Sequence, residues 1–177
     1  MKNIITVLII IFFQSYGLAQ TTSQLNDTKE YKNEVYKFCV KVPNDWKLYG
    51  QIVDDKKNQK AIVDWGLPPI YSELEKTNIE NSISITAYKK NDINSVEELI
   101  AFEYLRINPR ETALEIDTKH KNARIIYFSK NGLEYKGKSY YVFKNGISYI
   151  VNFMATPGTF DKNVGKFEDF YNQINFL

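Results

Sequence analysis

Two runs rich in β-branched and aromatic residues, 139–143 and 147–154, lie on either side of Asn145-Gly146 in the last third of the chain. An Asn-Gly pair between two such runs is the strongest short-range signal for a β-hairpin with a two-residue turn. Both runs carry apolar or aromatic residues on both faces of the predicted strand. Because strands of that kind are covered on both sides, this hairpin predicts a sheet with further layers above and below it.

The rest of the chain supplies strands in hairpins rather than in strand-helix-strand alternation. Alternating or β-branched runs predict strands at residues 35–42, 48–53, 61–65, 82–89 and 123–129. A wholly polar connection, 54–60, joins the second and third of these into an exposed hairpin. This order predicts an α+β fold in which an antiparallel sheet is sandwiched between helices, an α/β/α arrangement.

Helix signals occur in three segments. Ser95 followed by Glu98 is a capping box that predicts a helix to about residue 108. The expected apolar stripe of this helix is Val96, Leu99, Ile100, Tyr104 and Ile107, with Phe102 and Leu105 roughly opposite. A continuous apolar seam predicts a closing helix over 161–173, and Pro69 favours a short helix over 70–76.

The first nineteen residues are typical of a signal peptide. Lys2 precedes an apolar run at 4–13, and small residues up to Ala19 predict cleavage before Gln20. The run is too short to span a bilayer, which needs about 20 residues. We expect an exported protein, periplasmic or secreted, with no stable membrane insertion after cleavage. Residues 20–32 are expected to form a flexible polar lead and residues 33–177 a single domain.

Composition excludes several kinds of function. Lys and Arg number 23 against 21 Asp and Glu, which argues against a nucleic-acid binder with its basic excess. Cys39 is the only cysteine and His120 the only histidine, so zinc chemistry lacks its usual ligands. Loops of the EF-hand type and Gly-rich nucleotide-binding motifs are absent from the sequence. We therefore expect no cofactor and no metal.

Several segments carry a resemblance to the Mog1/PsbP-like superfamily, particularly to its small exported bacterial members of uncharacterised function. They are the strand end at 42–46, the helix start at 95–99, and the ending made of 145–153 together with Phe160, Phe167, Phe170 and Phe176. The resemblance implies an antiparallel sheet between helical layers. It also implies non-enzymatic work, since better-known relatives bind a small GTPase or assist assembly of a photosynthetic complex.

The candidate binding residues are Trp65, Tyr71, Tyr88 and Glu103. The three rings surround the Gly66–Pro69 break, and Tyr and Trp are favoured at interfaces because they combine large area with a polar group. Packing in a core covered on both sides is the alternative use of these rings. Glu103 falls within the apolar stripe of the predicted helix, where an acidic side chain is unfavourable unless it is paired. Three interpretations are open: a buried partner of a lysine or Arg106, a carboxylate in a pocket, or an error in the helix register.

These features predict an exported, non-catalytic binding or assembly domain of the cell envelope. Its partner would be an envelope protein, a peptide or a glycan, and the sequence leaves the oligomeric state open. The first alternative is a carrier of a lipid or small ligand, which needs a large apolar cavity. The second is a hydrolytic enzyme using Cys39, or a carboxylate pair such as Glu103 with Asp64. Cys39, between Lys37 and Lys41, is otherwise a small side chain on the outer face of its strand.

Overall fold

The structure is a computed structural model that describes residues 28–106, 112–130 and 132–177. The predicted signal peptide, its cleavage site and the predicted end of the middle helix lie outside these ranges. Within them the chain forms two helices and twelve strands. The strands are β1 (Thr28–Asn33), β2 (Phe38–Pro43), β3 (Lys47–Asp55), β4 (Lys60–Gly66), β5 (Ile70–Ser72), β6 (Thr77–Ile79), β7 (Ser82–Tyr88), β8 (Thr112–Ile116), β9 (Ala123–Lys130), β10 (Leu133–Lys144), β11 (Ile147–Ala155) and β12 (Asn175–Phe176). The helices are α1 (Val96–Tyr104), between β7 and β8, and α2 (Pro157–Asn172), between β11 and β12.

Seven strands form one large antiparallel sheet in the order β3-β4-β7-β11-β10-β9-β8. At its centre β10 and β11 form the predicted hairpin. The φ angles of Asn145 and Gly146 are +52° and +74°, the left-handed values that a two-residue turn requires. The predicted strands at 48–53, 61–65, 82–89 and 123–129 are confirmed as parts of β3, β4, β7 and β9.

One face of the large sheet, the core face, is closed by α2 and by a small sheet of β1, β2 and β12. Val63, Ile85 and Val151 lie side by side on it and are fully buried. Phe167 of α2 stacks on Phe153, with ring centroids 5.5 Å apart. Burial of so many large side chains on one face is the main stabilising contribution in this fold.

The opposite face, the α1 face, is covered by α1 at one end. The Ser95 hydroxyl accepts a hydrogen bond from the Glu98 N–H at 3.1 Å, and the Glu98 carboxylate accepts one from the Asn94 N–H at 2.6 Å, which fixes the predicted helix start. Leu99 and Ile100 pack on Tyr88, Tyr141 and Ile150 of the sheet. The predicted fold, an antiparallel sheet between helices, is therefore confirmed.

The cover on the two faces is unequal, which the sequence did not indicate. A helix of 9 residues is about 14 Å long and cannot shield seven strands. The expected stripe of α1 also needs correction. Phe102 packs with the buried cluster, whereas Tyr104 is largely exposed.

Two predictions near the N-terminal end were wrong. Residues 28–32, predicted as part of the flexible lead, belong to β1, because Tyr31 packs edge-on against Trp65 at 5.3 Å. The first predicted strand begins at Phe38 rather than at residue 35, since Lys37 has a φ of +51° in the preceding turn.

The predicted helix over 70–76 was also wrong. This segment contains β5 and the turn that leads to β6. Lys76 has a φ of +54°, a left-handed value that ends any helix, and the Ser72 side chain is bonded to the Glu75 carboxylate across the turn. The closing helix is confirmed, but it begins earlier than predicted, at Pro157.

Candidate functional site

The structure separates the predicted binding residues. Trp65 is only 1% exposed and packs in the core against Tyr31 and Phe170, so it is unavailable to a partner. Tyr71 is 48% exposed on β5, near α2. Tyr88 is 5% exposed and lies on the α1 face. The expected aromatic surface of Trp65, Tyr71 and Tyr88 therefore does not form.

Tyr88 and Glu103 do come together, beside Arg106 at the end of α1. The Arg106 guanidinium donates a hydrogen bond to the Tyr88 hydroxyl at 2.7 Å and stacks over Phe102 at 5.3 Å. Burial raises the pKa of Glu103, and the positive charge of Arg106 acts in the opposite direction. Arg106 is thus a charged neighbour of Glu103 without a close ion pair between the two, and the altered stripe of α1 agrees with the interpretation as an error in the helix register.

Next to α1, a line of polar side chains crosses the large sheet. Strand register places these residues directly opposite one another on five adjacent strands. In sheet order they are Asp64 on β4, Ser84 on β7, Asn152 on β11, Ser139 on β10 and Arg124 on β9. Their chain neighbours, such as Val63, Ile85 and Val151, face the core, so alternation puts the whole polar row on the α1 face.

The polar row spans about 19 Å, because adjacent strands lie about 4.8 Å apart. Ser139, fourth in the row, is fully buried, whereas Asp64, Ser84, Asn152 and Arg124 are partly exposed. A buried or partly buried polar side chain on a sheet face lowers stability unless it is hydrogen-bonded. Five such residues in one line make the incompletely covered face the candidate site.

Two neighbours in the polar row are hydrogen-bonded to each other. The Ser139 hydroxyl donates to Oδ1 of Asn152, and the Tyr141 hydroxyl lies near the Ser139 side chain. Burial raises the pKa of Tyr141, so its hydroxyl keeps its proton at neutral pH.

The two ends of the polar row each carry a buried atom without a partner. Oδ1 of Asp64 and Nε of Arg124 have no hydrogen-bond partner among the described residues. Nη1 of Arg124 is held by the carbonyls of Lys121 and Ala123, at 2.9 and 2.8 Å. The guanidinium is thus fixed through one nitrogen while its Nε–H lacks an acceptor.

The environment of Asp64 is partly apolar. Burial raises the pKa of its carboxyl, and a hydrogen bond from the Trp65 backbone partly opposes that change. The ring of Tyr49 lies against Gly66 on the same face, where a Cβ would come within 2.8 Å of its Cε2. Burial and the Glu80 carboxylate raise the pKa of the Tyr49 hydroxyl to about 12. Tyr49 therefore stands as a neutral, partly exposed ring at the acidic end of the polar row.

A second polar feature lies on the core face. Nζ of Lys138, which is 3% exposed, contacts Asp117 Oδ2 at 3.0 Å and Glu168 Oε1 at 2.7 Å. The two carboxylates raise the lysine pKa against the effect of burial, so Lys138 stays protonated and is no nucleophile. An adjoining cavity of about 180 Å³ has Phe160 and Val164 in its wall beside these charges. Its size and charged lining do not suit a lipid.

Comparisons with known proteins give matches to solved structures, whereas no family model and no curated protein sequence matches. A protein of unknown function from Pseudomonas aeruginosa is 12% identical, with a TM-score of 0.49 and cover of 81% of this chain and 92% of that one. Cyanobacterial PsbP from Synechocystis is 11% identical, with a TM-score of 0.47 and cover of 85% and 93%.

A third match is LpqN, a protein involved in cell envelope biogenesis of Mycobacterium tuberculosis. It is 15% identical, with a TM-score of 0.36 and cover of 84% of this chain and 88% of that one. Identities and TM-scores this low carry no conclusion about the partner or activity of this chain.

The nucleophile and metal arrangements considered from the sequence are not assembled. Cys39 lies in β2 of the small sheet, opposite Lys32 and Asn175, whereas His120 lies in the turn between β8 and β9. Asp64 and Glu103 share the α1 face, but the charged group acting on Glu103 is Arg106. Across 28–106, 112–130 and 132–177, no three His, Cys, Asp or Glu side chains are grouped to hold a metal ion.

Neither described helix has the length and apolar character needed to cross a membrane.

What the site offers chemically is a set of hydrogen-bonding groups between a carboxylate and a guanidinium. Sequence reasoning named Asp64 and Glu103 but missed Ser84, Asn152, Ser139 and Arg124. The serines at alternate positions of 82–86 were a usable signal, since they mark a polar sheet face.

Proposed function

We propose that this protein is an exported, non-catalytic binding domain of the cell envelope and that the polar row is its binding site. Four buried side-chain atoms of the described residues lack a partner, and two of them, Nδ2 of Asn81 and Nδ2 of Asn163, belong to fully buried side chains away from the polar row. The observation that carries the proposal is that the other two, Oδ1 of Asp64 and Nε of Arg124, lie at the two ends of one polar line. A fold gains nothing from such atoms, whereas a ligand that pairs with them recovers the lost hydrogen bonds.

The chemistry of the polar row favours an extended peptide segment of an envelope protein as the ligand. The Arg124 guanidinium is suited to bind an anionic oxygen of the ligand through two of its nitrogens. The Asp64 carboxylate is suited to bind a hydrogen-bond donor or a cation. Ser84 and Asn152 between them match the N–H and C=O groups of a peptide backbone. A segment of five to six residues spans about 19 Å at about 3.3 Å per residue.

Site-specific photo-crosslinking in the native envelope tests the site. A photoreactive residue at Ser84 should give discrete adducts with one protein, and the added change Arg124→Gln should remove most of them. A photoreactive residue at Asp169, exposed on α2, is the matched control and should give none of these adducts. Equal adducts from both positions, or adducts indifferent to Arg124→Gln, would overturn the proposal. Adducts removed by glycosidase but not by protease would identify a glycan instead.

Export is tested separately, by mass spectrometry of the protein recovered from the envelope or medium. The expected mature chain begins at Gln20. Retention of Met1 in a cytoplasmic fraction would contradict the proposal on compartment while leaving the binding site to its own test.

One observation favours the enzymatic alternative: burial raises the pKa of both Asp64 and Glu103 on the same face. Carboxylates with raised pKa values are frequent in acid-base catalysis. If hydrolysis of an envelope component is found, its rate should fall at least about 100-fold in both Asp64→Asn and Glu103→Gln. A rate that falls in neither variant would assign the activity to a contaminant.

A further inference from the structure

Strand β3 is an outer strand of the large sheet, and within the described residues it pairs with β4 alone. Eight of its nine residues are exposed, all except Asp55. They include four large apolar side chains, Leu48, Tyr49, Ile52 and Val53, that are 43% to 49% exposed. Two register shifts divide this strand, and the regular stretch between them, Gly50–Ile52, is the part whose outer edge can pair with another strand.

The charge pattern of β3 is complementary to itself in the antiparallel direction. Lys47 stands at one end and Asp54-Asp55 at the other. If the strand is laid against a copy of itself with Gln51 opposite Gln51, then Lys47 falls opposite Asp55 at both ends. Register shifts between Leu48 and Gly50 and between Ile52 and Asp55 interrupt the regular ladder, so Lys47 and Asp55 would meet as flanking charges beside the paired centre rather than as ladder partners.

The faces agree with this register. Lys47 pairs with Gly66 of β4, and Asp55 pairs with Lys60. Gly66 and Lys60 are even-numbered positions of β4, which face α1, so Lys47 and Asp55 lie on the same face of the sheet. Opposite residues must share a face, and this pair does.

The register also places a glycine opposite a large apolar residue. Gly50 falls opposite Ile52 of the copy, and a side chain built on Gly50 would meet no atom within 4 Å. The open space beside Gly50 therefore accepts the Ile52 side chain next to Tyr49. Main-chain pairing is confined to the central residues, because the Val53 carbonyl already accepts a hydrogen bond from Asn33 at 3.0 Å.

We propose that β3 pairs with β3 of a second copy of this chain, forming a dimer with a continuous sheet of fourteen strands. The two-fold axis is perpendicular to the sheet and passes between the two Gln51 residues. Such an axis keeps the α1 faces of both copies on the same side. Both polar rows then open on one surface, although the dimer does not depend on what they bind. A single strand-to-strand contact is small, so the dissociation constant is expected on the order of 10 µM.

Sedimentation velocity of the protein purified from its exported fraction, over a micromolar to submillimolar series, tests the proposal. Lys47→Glu and Asp55→Lys should each be monomeric, because each puts like charges opposite one another. An equimolar mixture of the two variants should dimerise like the wild type, since all four charges are then opposite an unlike charge. Lys166→Glu on α2 and Leu74→Asp in the turn after β5 are exposed controls and should not change the dimer.

Asp55 also accepts two hydrogen bonds from Asn58 in the turn after β3, so Asp55→Lys can disturb the hairpin itself. A second pair of variants avoids that turn. Gln51→Lys and Gln51→Glu should each raise the dissociation constant at least about tenfold, and their mixture should restore the dimer. A wild-type protein that stays monomeric throughout, or a mixture that fails to restore dimers, would overturn the proposal.

Discussion

Single residues fix how the β5–β6 hairpin holds the start of α2. Thr156, at the N-cap, makes no side-chain bond to the helix backbone. The Glu75 carboxylate comes from the hairpin instead and accepts a hydrogen bond from the Gly158 N–H at 3.4 Å. An anionic group at a helix N-terminus is stabilising because the N–H groups there lack partners within the helix.

The two glycines of α2 should therefore respond in opposite ways to alanine. A Cβ on Gly158 would lie 2.9 Å from Cβ of Leu74 and would also clash with the Ser72 and Glu75 side chains, whereas a Cβ on Gly165 meets nothing within 4 Å. We expect Gly158→Ala to lower the free energy of unfolding by about 1 to 3 kcal/mol. Gly165→Ala should raise it by up to about 1 kcal/mol. Urea unfolding of both variants checks the prediction, and a Gly158→Ala protein as stable as Gly165→Ala would contradict it.

Glu75 should also make stability depend on pH. Burial tends to raise the pKa of Glu75, but hydrogen bonds from Ser72, Thr156 and the Gly158 N–H outweigh it, and the pKa in the folded protein is lowered. A lowered carboxyl pKa gives stability that is present above the unfolded pKa and is lost as the pH falls through the folded value.

We therefore expect Glu75→Gln to be less stable than the wild type at pH 7 and to lose less stability between pH 6 and pH 3. Urea unfolding at a series of pH values measures this. Glu73→Gln is the control, because Glu73 is exposed and pairs only with Lys76 at the surface. Parallel pH curves for Glu75→Gln and the wild type would show that the carboxylate does not act as described.

At the scale of elements, one buried charge cluster joins α2, β10 and the β8–β9 turn. The side chains of Lys138 and Asp117 are 4% and 9% exposed, and that of Glu168 is 38% exposed. Removal of the cation leaves the Asp117 carboxylate buried without its partner. Breaking one side of a buried ion pair costs more than the pair itself contributes.

Lys138→Met should accordingly lower the free energy of unfolding by about 3 kcal/mol. Lys166→Met, at an exposed position of α2, should change it by less than about 0.5 kcal/mol. Thermal and urea unfolding distinguish the two. Equal stability of both variants would mean that the cluster does not hold α2 to the sheet.

Elements with a strong local signal were predictable, and those formed by tertiary packing were not. Asn145-Gly146 and the Ser95–Glu98 capping box act within a few residues, so the sequence alone locates them. The segment TKEYKN of β1 has one apolar residue, Tyr31, and becomes a strand only because that ring packs on Trp65. Three-residue strands such as β5 are too short to display a period.

The candidate site was predictable only in part, for a reason of register. Asp64 and Glu103 stood out singly because an acid in an apolar pattern is unusual. The polar row exists only when β4, β7, β11, β10 and β9 are aligned, and one step of slippage would turn its members to the core face. Which residues lie opposite one another depends on contacts between segments that are far apart in the chain.

At the scale of the whole molecule, the two faces of the sheet have different roles. The core face buries interlocking aromatic rings under α2 and the small sheet, and it supplies most of the stability. The α1 face carries the polar row, whose unpartnered atoms lower stability. Binding sites commonly keep such unfavourable groups because the ligand needs them.

This division predicts that one substitution will raise stability while it weakens binding. Burial raises the pKa of Asp64 in the folded protein above its unfolded value. The ionised form of Asp64 is therefore unfavourable in the folded protein. The free energy of unfolding falls as the pH rises through the lower pKa that Asp64 has in the unfolded chain.

We expect Asp64→Asn to be more stable than the wild type by about 1 kcal/mol at pH 7, with the difference shrinking toward pH 4. The same variant should give fewer adducts from the photoreactive residue at Ser84. Asp161→Asn, exposed on α2, should change neither quantity. Urea unfolding at both pH values, beside the crosslinking yield, separates the outcomes. If Asp64→Asn is less stable at pH 7 than the wild type, then Asp64 supports the fold, and the polar row has a structural explanation after all.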